Sequence, residues 1–227
     1  MKAEILTLFP EIFSGFLESS LIKKATEKGL FSPALTQIRD FSDPPHYQVD
    51  DTPYGGGAGM LMKAEPLGRA IEDAKFRLPR AKVVLLSPCG QVFNQQLAHS
   101  LSKHEELIFV CGRYEGIDER IVELYVDYSL SIGDFVLMGG EVAAMLVIEA
   151  SLRLVPGVLG NSESLTMESF SHSNLLEAPQ YTRPPTYKGL TVPDVLLSGN
   201  HQLIEKWRKE QAKLRTKKIR PELTSDD

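Results

Sequence analysis

Three glycine-bearing stretches follow apolar, strand-like runs. They are LLSPCG at 85–90, GRYEG at 112–116 after the run 107–111, and Gly139-Gly140 closing the run 130–137, which Gly133 interrupts. Glycine lets a backbone pass through positive φ and lets a ligand reach the main chain with no Cβ in the way. Loops of this kind after neighbouring strands form a pocket walled by N–H and C=O groups, suited to a small ligand with an aromatic base. A fourth run, Tyr54-Gly55-Gly56-Gly57-Ala58-Gly59-Met60, follows Asp50-Asp51 and can present consecutive N–H groups to an anion; it reads equally as a flexible turn. Residues 201–220 hold eight basic side chains against two acidic ones. That is a net +6 in a chain whose total is −5, leaving −11 on the remainder. A basic helix on an acidic body suggests a polyanion partner for that end, or a solvated amphipathic helix.

Other chemistries lack their residues. No Gly-Lys-Ser/Thr follows the glycine run, so it is not a Walker A loop, and no GxGxxG opens a helix after the first strand. The five histidines, at 46, 99, 104, 172 and 201, show no zinc-ligand spacing. Neither a nucleophile elbow nor a Ser/Cys-plus-His arrangement is visible. Cys89 and Cys111 each stand after a strand-like run without metal-type spacing and read as reduced, half-buried small residues.

The elements that must position these loops alternate. Strands are expected at 2–9, 35–39, 82–87, 107–111 and 130–137. Helices are expected at 10–28, ending at Gly29, at 66–76, from the cap Asn94, at 117–124, at 141–152 and at 200–216. This rhythm argues an α/β fold with a largely parallel sheet and ligand loops at the carboxyl ends of its strands. At 227 residues, 42% hydrophobic and 24% charged, the chain suits one large core, or one domain and a smaller one. No apolar run approaches the ~20 residues of a membrane span, and the start lacks signal-peptide character, so a cytoplasmic protein is the default. After Pro156 the chain becomes Gly/Ser/Asn-rich, a linker before a C-terminal helical pattern.

The ordered segments VDDTPYGGGAGMLM, LLSPCG, CGRYEGIDER, SIGDFVLMGGE, PGVLGN, APQYTRP and VLLSGNH resemble the bacterial tRNA (guanine-37 N1)-methyltransferase family TrmD, of the SPOUT class, over nearly the whole chain. The resemblance implies a parallel sheet closed by a deep trefoil knot, followed by a small α-helical C-terminal domain. The domains would be a knotted methyltransferase domain at 1–160, a linker at 161–172 and a tRNA-binding domain at 173–227. It implies a homodimer with sites shared between subunits, and S-adenosylmethionine as cofactor. The cofactor site falls on Leu85, Leu86, Ser87 and Pro88, on Gly112, Tyr114, Glu115 and Gly116, and on Ile132, Gly133, Asp134, Phe135, Val136 and Leu137 with Gly139 and Gly140. Gly90 and Gly157 read instead as turns of the fold.

The catalytic pair implied by the family falls on Glu168, a general base, and Arg153, which offsets charge on the guanine oxygen. The chain departs from the family pattern by carrying Glu168 where an aspartate is expected, Met138 for a serine and Ala143 for a proline. RNA contact falls to the glycine run at Gly55, Gly57 and Gly59, to Arg183, Asn200 and His201, and to Arg208, Lys209 and Arg215 of the basic helix, with Trp207 packing inside that helix. The implied substrate is a tRNA with guanosines at positions 36 and 37. The family also depends on magnesium, and no carboxylate cluster here is assigned to hold it. The competing readings are a non-catalytic RNA-binding protein with a relic cofactor pocket, a SPOUT enzyme acting on another RNA, and a dinucleotide-dependent oxidoreductase that lacks its fingerprint.

Overall fold

A computed structural model of the chain describes residues 1–160, 168–171 and 174–224. They fall into two compact units, Met1–Gly160 and Asn161–Asp227. The first unit opens with strand β1 (Lys2–Thr7), a 3-10 turn at Pro10–Phe13, helices α1 (Ser14–Leu17) and α2 (Ser20–Glu27), and strand β2 (Ser32–Gln37). A two-residue pair, β3 (Asp50–Asp51) with β4 (Leu61–Met62), then leads into α3 (Ala64–Arg77). Strand β5 (Lys82–Val92), helix α4 (Gln95–Ser102), β6 (Glu106–Cys111), α5 (Glu119–Tyr125), β7 (Tyr128–Ser131) and α6 (Glu141–Leu152) complete it.

The five long strands form one sheet in the order β2-β1-β6-β5-β7, and every pairing in it is parallel. Successive side chains on a strand point to opposite faces. Leu107, Phe109 and Cys111 of β6 with Val84 and Leu86 of β5 therefore join one core, packed against α2, α4 and α6. Ile108 and Val110 with Val83 and Leu85 join the other, packed against α3 and α5. Both faces being covered explains why these strands read as unbroken apolar runs.

Three expectations are corrected. The single helix at 10–28 is interrupted at Glu18 and Ser19: Ser19 takes extended backbone and donates its hydroxyl to the Phe16 carbonyl, a local bond that competes with helix. The strand at 35–39 begins earlier, at Ser32, because Pro33 lies on an edge strand where a missing N–H is tolerated. The strand at 130–137 ends at Ser131, whose hydroxyl donates to the Gly133 carbonyl and accepts from the Gly133 N–H, closing a turn. The cysteines also differ from the half-buried pair expected: both are free, with Cys111 buried and Cys89 exposed.

The second unit holds a hairpin of β8 (Thr186–Tyr187) and β9 (Leu190–Thr191), then α7 (Asp194–Leu197) and the long α8 (His201–Ile219). The hairpin turns at Lys188 and Gly189, both at positive φ. Asn200 caps α8, its side-chain oxygen accepting from the Leu203 N–H at 3.2 Å. Of the expected linker, 161–167 and His172 lie outside the described residues, as does Ser173.

Candidate functional site

The three glycine loops meet at one spot of the sheet's carboxyl edge. In β5 the ladder with β7 runs from Val84 to Leu86 and resumes at Gln91, which pairs with the same Leu130 that Leu86 faces. Ser87 to Gly90 therefore leave the ladder as a bulge, a common way to aim residues at a site. Gly90 is required by close approach: a Cβ there would lie 2.4 Å from the Ser129 carbonyl carbon. The Gly140 N–H donates to the Gly112 carbonyl at 2.9 Å, and Gly139 forms an antiparallel bridge with Arg113. A Cβ on Gly140 would come within 2.9 Å of Cys111 Cα, 3.1 Å of Gly112 N and 3.2 Å of Leu86 Cβ. The end of the third loop is thus pressed onto the ends of β6 and β5.

Around this junction Leu85 and Leu86 are buried, Ser87, Gly112, Gly116, Ile132, Gly133 and Gly139 are half-buried, and Pro88, Tyr114 and Glu115 are exposed. Gly133 and Gly116 have φ of +139° and +141°, and Tyr114 also takes a left-handed φ, 60°. Asp134 to Met138 stand in solvent; Val136 is 83% and Met138 90% exposed, unusual for an apolar run on a monomer. The wall combines main-chain polar groups with Tyr114, Phe135 and Leu137 side chains, donor chemistry that fits a ligand bearing an aromatic base.

The glycine run at 54–60 borders the same loops. Glu115 N–H donates to the Met60 carbonyl at 3.0 Å, and Met62 N–H to the Gly116 carbonyl at 2.9 Å. Gly55, Gly57 and Gly59 have φ of 86°, 128° and 85°. A Cβ at Gly59 would lie 2.3 Å from Glu115 Cγ, whereas Gly55 and Gly57 face open space.

One group at the site escapes sequence reasoning. Glu141, 1% exposed at the first turn of α6, holds the Arg113 guanidinium with Nε at 2.9 Å from Oε2 and 3.1 Å from Oε1. The Thr7 hydroxyl donates to the same carboxylate at 2.9 Å and accepts from the Phe9 N–H at 3.0 Å. The Phe9 ring then lies 4.5 Å from the guanidinium. Helix polarity favours an acid in a first turn. An acid opening an otherwise apolar helix was the available signal, though nothing local names its partners.

Of the remaining residues, Arg153 ends α6 in the first unit and Glu168 lies in the second, both half-buried. The Glu168 carbonyl accepts from the Ser171 hydroxyl at 2.8 Å. Within the second unit a groove of about 1460 Å³ is lined by Glu168, Arg183, Arg208 and Lys209 among others. Arg208, Lys209 and Arg215 lie on the exposed side of α8, with Lys209 2.7 Å from Glu205 and Arg215 Nη1 donating to the Glu177 carbonyl at 3.4 Å. Asn200 and His201 start that helix. Trp207 packs against Tyr181, ring centroids 6.5 Å apart. Among the described residues no group of three or more His, Cys, Asp or Glu is placed to hold a metal ion.

Comparison with known proteins identifies the family of the chain. The profile of the tRNA (guanine-1)-methyltransferase TrmD family matches residues 1–226. A protein of Geobacter sp. (strain M21) named tRNA (guanine-N(1)-)-methyltransferase is 56% identical over 223 residues, covering 98% of this chain and 89% of its own length. Similarly named proteins of Citrifermentans bemidjiense and Geotalea uraniireducens are 55% identical over 223 residues and 56% over 226, covering 89% and 91% of their lengths and 98% and 100% of this chain.

Proposed function

Because the chain belongs to the tRNA (guanine-1)-methyltransferase TrmD family, we propose that it transfers the methyl group of S-adenosylmethionine to ring nitrogen 1 of guanosine 37 in a tRNA that also carries guanosine at 36. The observation that carries this reading is the seating of Gly140 on Gly112 and Leu86, which supports one pocket shared by three loops. In this reading the main chain of the three loops reads the adenine edge while the side chains of Ile132, Phe135 and Leu137 cover its faces. S-adenosylmethionine would supply, when bound, a methyl group on a sulfonium sulfur, whose S–CH3 bond would break as the N–CH3 bond forms, leaving the neutral thioether S-adenosylhomocysteine.

Neutral guanine carries a proton on nitrogen 1, so that nitrogen has no free lone pair until the proton leaves. Glu168 takes that proton, a contribution of about 10²–10⁴ in rate. Charge then moves to the exocyclic oxygen, where Arg153 offsets it, worth roughly 3–4 kcal/mol for a comparable oxyanion donor. The extra methylene of Glu168 relative to aspartate shifts the carboxylate by about 1 Å, a displacement able to cost ~10²-fold where the backbone does not adjust.

In this reading a trefoil knot surrounds the pocket, the protein is a cytoplasmic homodimer with each site built from both chains, and a linker at 161–172 leads to a tRNA-binding domain at 173–227. Exposed Phe135 to Met138, with Val142 and Leu146 on the open side of α6, support an apolar face for a second copy. No helix among the described residues is long and apolar enough to cross a membrane. The cations of α8 and Arg183 supply phosphate contacts, and the glycine run adds main-chain N–H groups.

Labelled S-adenosylmethionine and unmodified tRNA transcripts with guanosine or adenosine at 37 test the reading. Labelling of the guanosine transcript alone, lost in Glu168→Gln and kept in Glu168→Asp, is expected. Equal labelling of both transcripts refutes the substrate, and binding without labelling favours an RNA-binding protein with a relic pocket.

A further inference from the structure

We infer that Thr7 and Glu141 are positioning residues of the cofactor pocket, acting through Arg113; this rests on the proposed methyltransferase reading. The Arg113 side chain is 19% exposed and links the second and third glycine loops of the junction. Its backbone belongs to the second loop, its Nη1 donates to the Met138 carbonyl of the third at 3.3 Å, and its main chain bridges Gly139. A Cβ on Gly139 would lie 2.2 Å from Arg113 Nε, so the third loop is laid directly along the guanidinium. Met138 adjoins Leu137, the last side chain of the proposed cofactor wall.

A guanidinium in this place has one orientation because two partners hold it and a third group holds both of them. The Glu141 carboxylate grips Nε, the Phe9 ring stacks on its face, and the Thr7 hydroxyl fixes both partners at once. Thr7 has one proton to donate. With its oxygen already accepting from the Phe9 N–H, that proton goes to Glu141. A buried ion pair adds little stability over apolar residues of the same volume, whereas two donors on one rigid planar group carry direction. Lysine keeps the charge beside Glu141 and loses the second donor. Thr7 and Glu141 touch neither cofactor nor RNA in this reading; their effect is transmitted to the loop carbonyl.

The test compares Thr7→Val, Thr7→Ser and Arg113→Lys with the unaltered chain, measuring KM for S-adenosylmethionine, kcat at saturating cofactor, and melting temperature without ligand. Thr7→Val is expected to raise KM about tenfold, the scale of one charge-assisted hydrogen bond, with kcat held within twofold. Thr7→Ser restores the hydroxyl and is expected to restore KM. Arg113→Lys, which leaves the Thr7 pocket filled, is expected to raise KM similarly. A lower melting temperature with KM unmoved in both Thr7→Val and Arg113→Lys, or failure of Thr7→Ser to recover KM, overturns the inference. An unaltered chain that neither binds nor uses S-adenosylmethionine overturns the methyltransferase reading itself.

Discussion

Replacing Gly140 by alanine tests the loop junction directly. Gly140 has φ −79° and ψ −8°, ordinary helical backbone, so alanine meets no conformational penalty and the effect is purely steric. The new methyl would lie 2.9 Å from Cys111 Cα, about 0.5 Å short of the 3.4 Å at which ordinary contact begins, and 3.1 Å from Gly112 N. Both are main-chain atoms at the end of a fully buried strand, so neither yields as a flexible side chain does. Overpacking of this kind costs about 1–3 kcal/mol, or roughly 2–12 °C in melting temperature for a unit of this size. The same displacement moves the start of α6 away from β5 and β6 and opens the junction, and the affinity for S-adenosylmethionine is expected to fall about tenfold, equivalent to ~1.4 kcal/mol. Gly15→Ala is the control: its Cβ meets nothing within 4 Å, and it is expected to be neutral or up to about 1 kcal/mol stabilising. Thermal melts and titration calorimetry read both variants. If Gly140→Ala melts and binds like Gly15→Ala, the loops do not share a tightly packed junction and the pocket argued from it is wrong.

Three further outcomes follow from single features. Burial pushes the Cys111 thiol well above its ordinary value, with the nearby Glu141 carboxylate adding to the shift, while Cys89 is exposed. A thiol reagent should therefore label one cysteine in the native chain and two in denaturant, and prompt labelling of two natively contradicts the packing of β6. Asp118 caps α5, its carboxyl held below its ordinary value of 3.8 chiefly by the Arg120 side chain, with the Arg120 amide also contributing and burial opposing. Its stabilisation is present above that value and lost as pH falls through the lower folded one. The melting-temperature gap between the chain and Asp118→Asn should then be full near about pH 6 and close in acid; a gap that widens in acid refutes the assignment. Joint replacement of Arg208, Lys209 and Arg215 by alanine should weaken tRNA binding and flatten its salt dependence by roughly 0.7–0.9 log units per lost phosphate contact, and an unchanged slope would remove α8 from the RNA-binding surface.

What the chain reveals in advance depends on how local the cause is. β6 is five apolar residues, Leu107 to Cys111, between Glu106 and Gly112 and is buried at every position, so its pattern suffices. α3, α4 and α8 lie within a few residues of expectation because caps and apolar spacing are local. The stretch after Ser131 misleads because Phe135, Val136 and Leu137 look like strand interior yet stand in solvent. The Ser131–Gly133 turn that stops the strand rests on a hydroxyl contact invisible to periodicity. The bulge at Ser87 to Gly90 is hidden likewise, since the strand resumes only through pairing with β7. At the candidate site the glycines announce themselves and their convergence does not. The clamp on Arg113 is less legible still, because Thr7 and Glu141 are 134 residues apart and meet only when the sheet is built.

The sheet order also sets how the chain is assembled during synthesis. β1 lies between β2 and β6, and Ile5 and Leu6 are completely buried there. β2 follows within thirty residues or so, but β6 begins only at Glu106. At about 5–20 residues per second, a ribosome needs roughly 3–14 s to make the stretch between β2 and β6. Throughout that interval the other edge of β1 offers unpaired N–H and C=O groups flanked by apolar side chains, a template for pairing with another chain. β1 is thus completed late, and substitutions at Ala3, Ile5 or Leu6 should lower the yield of soluble chain in a cell by more than their effect on the folded molecule alone.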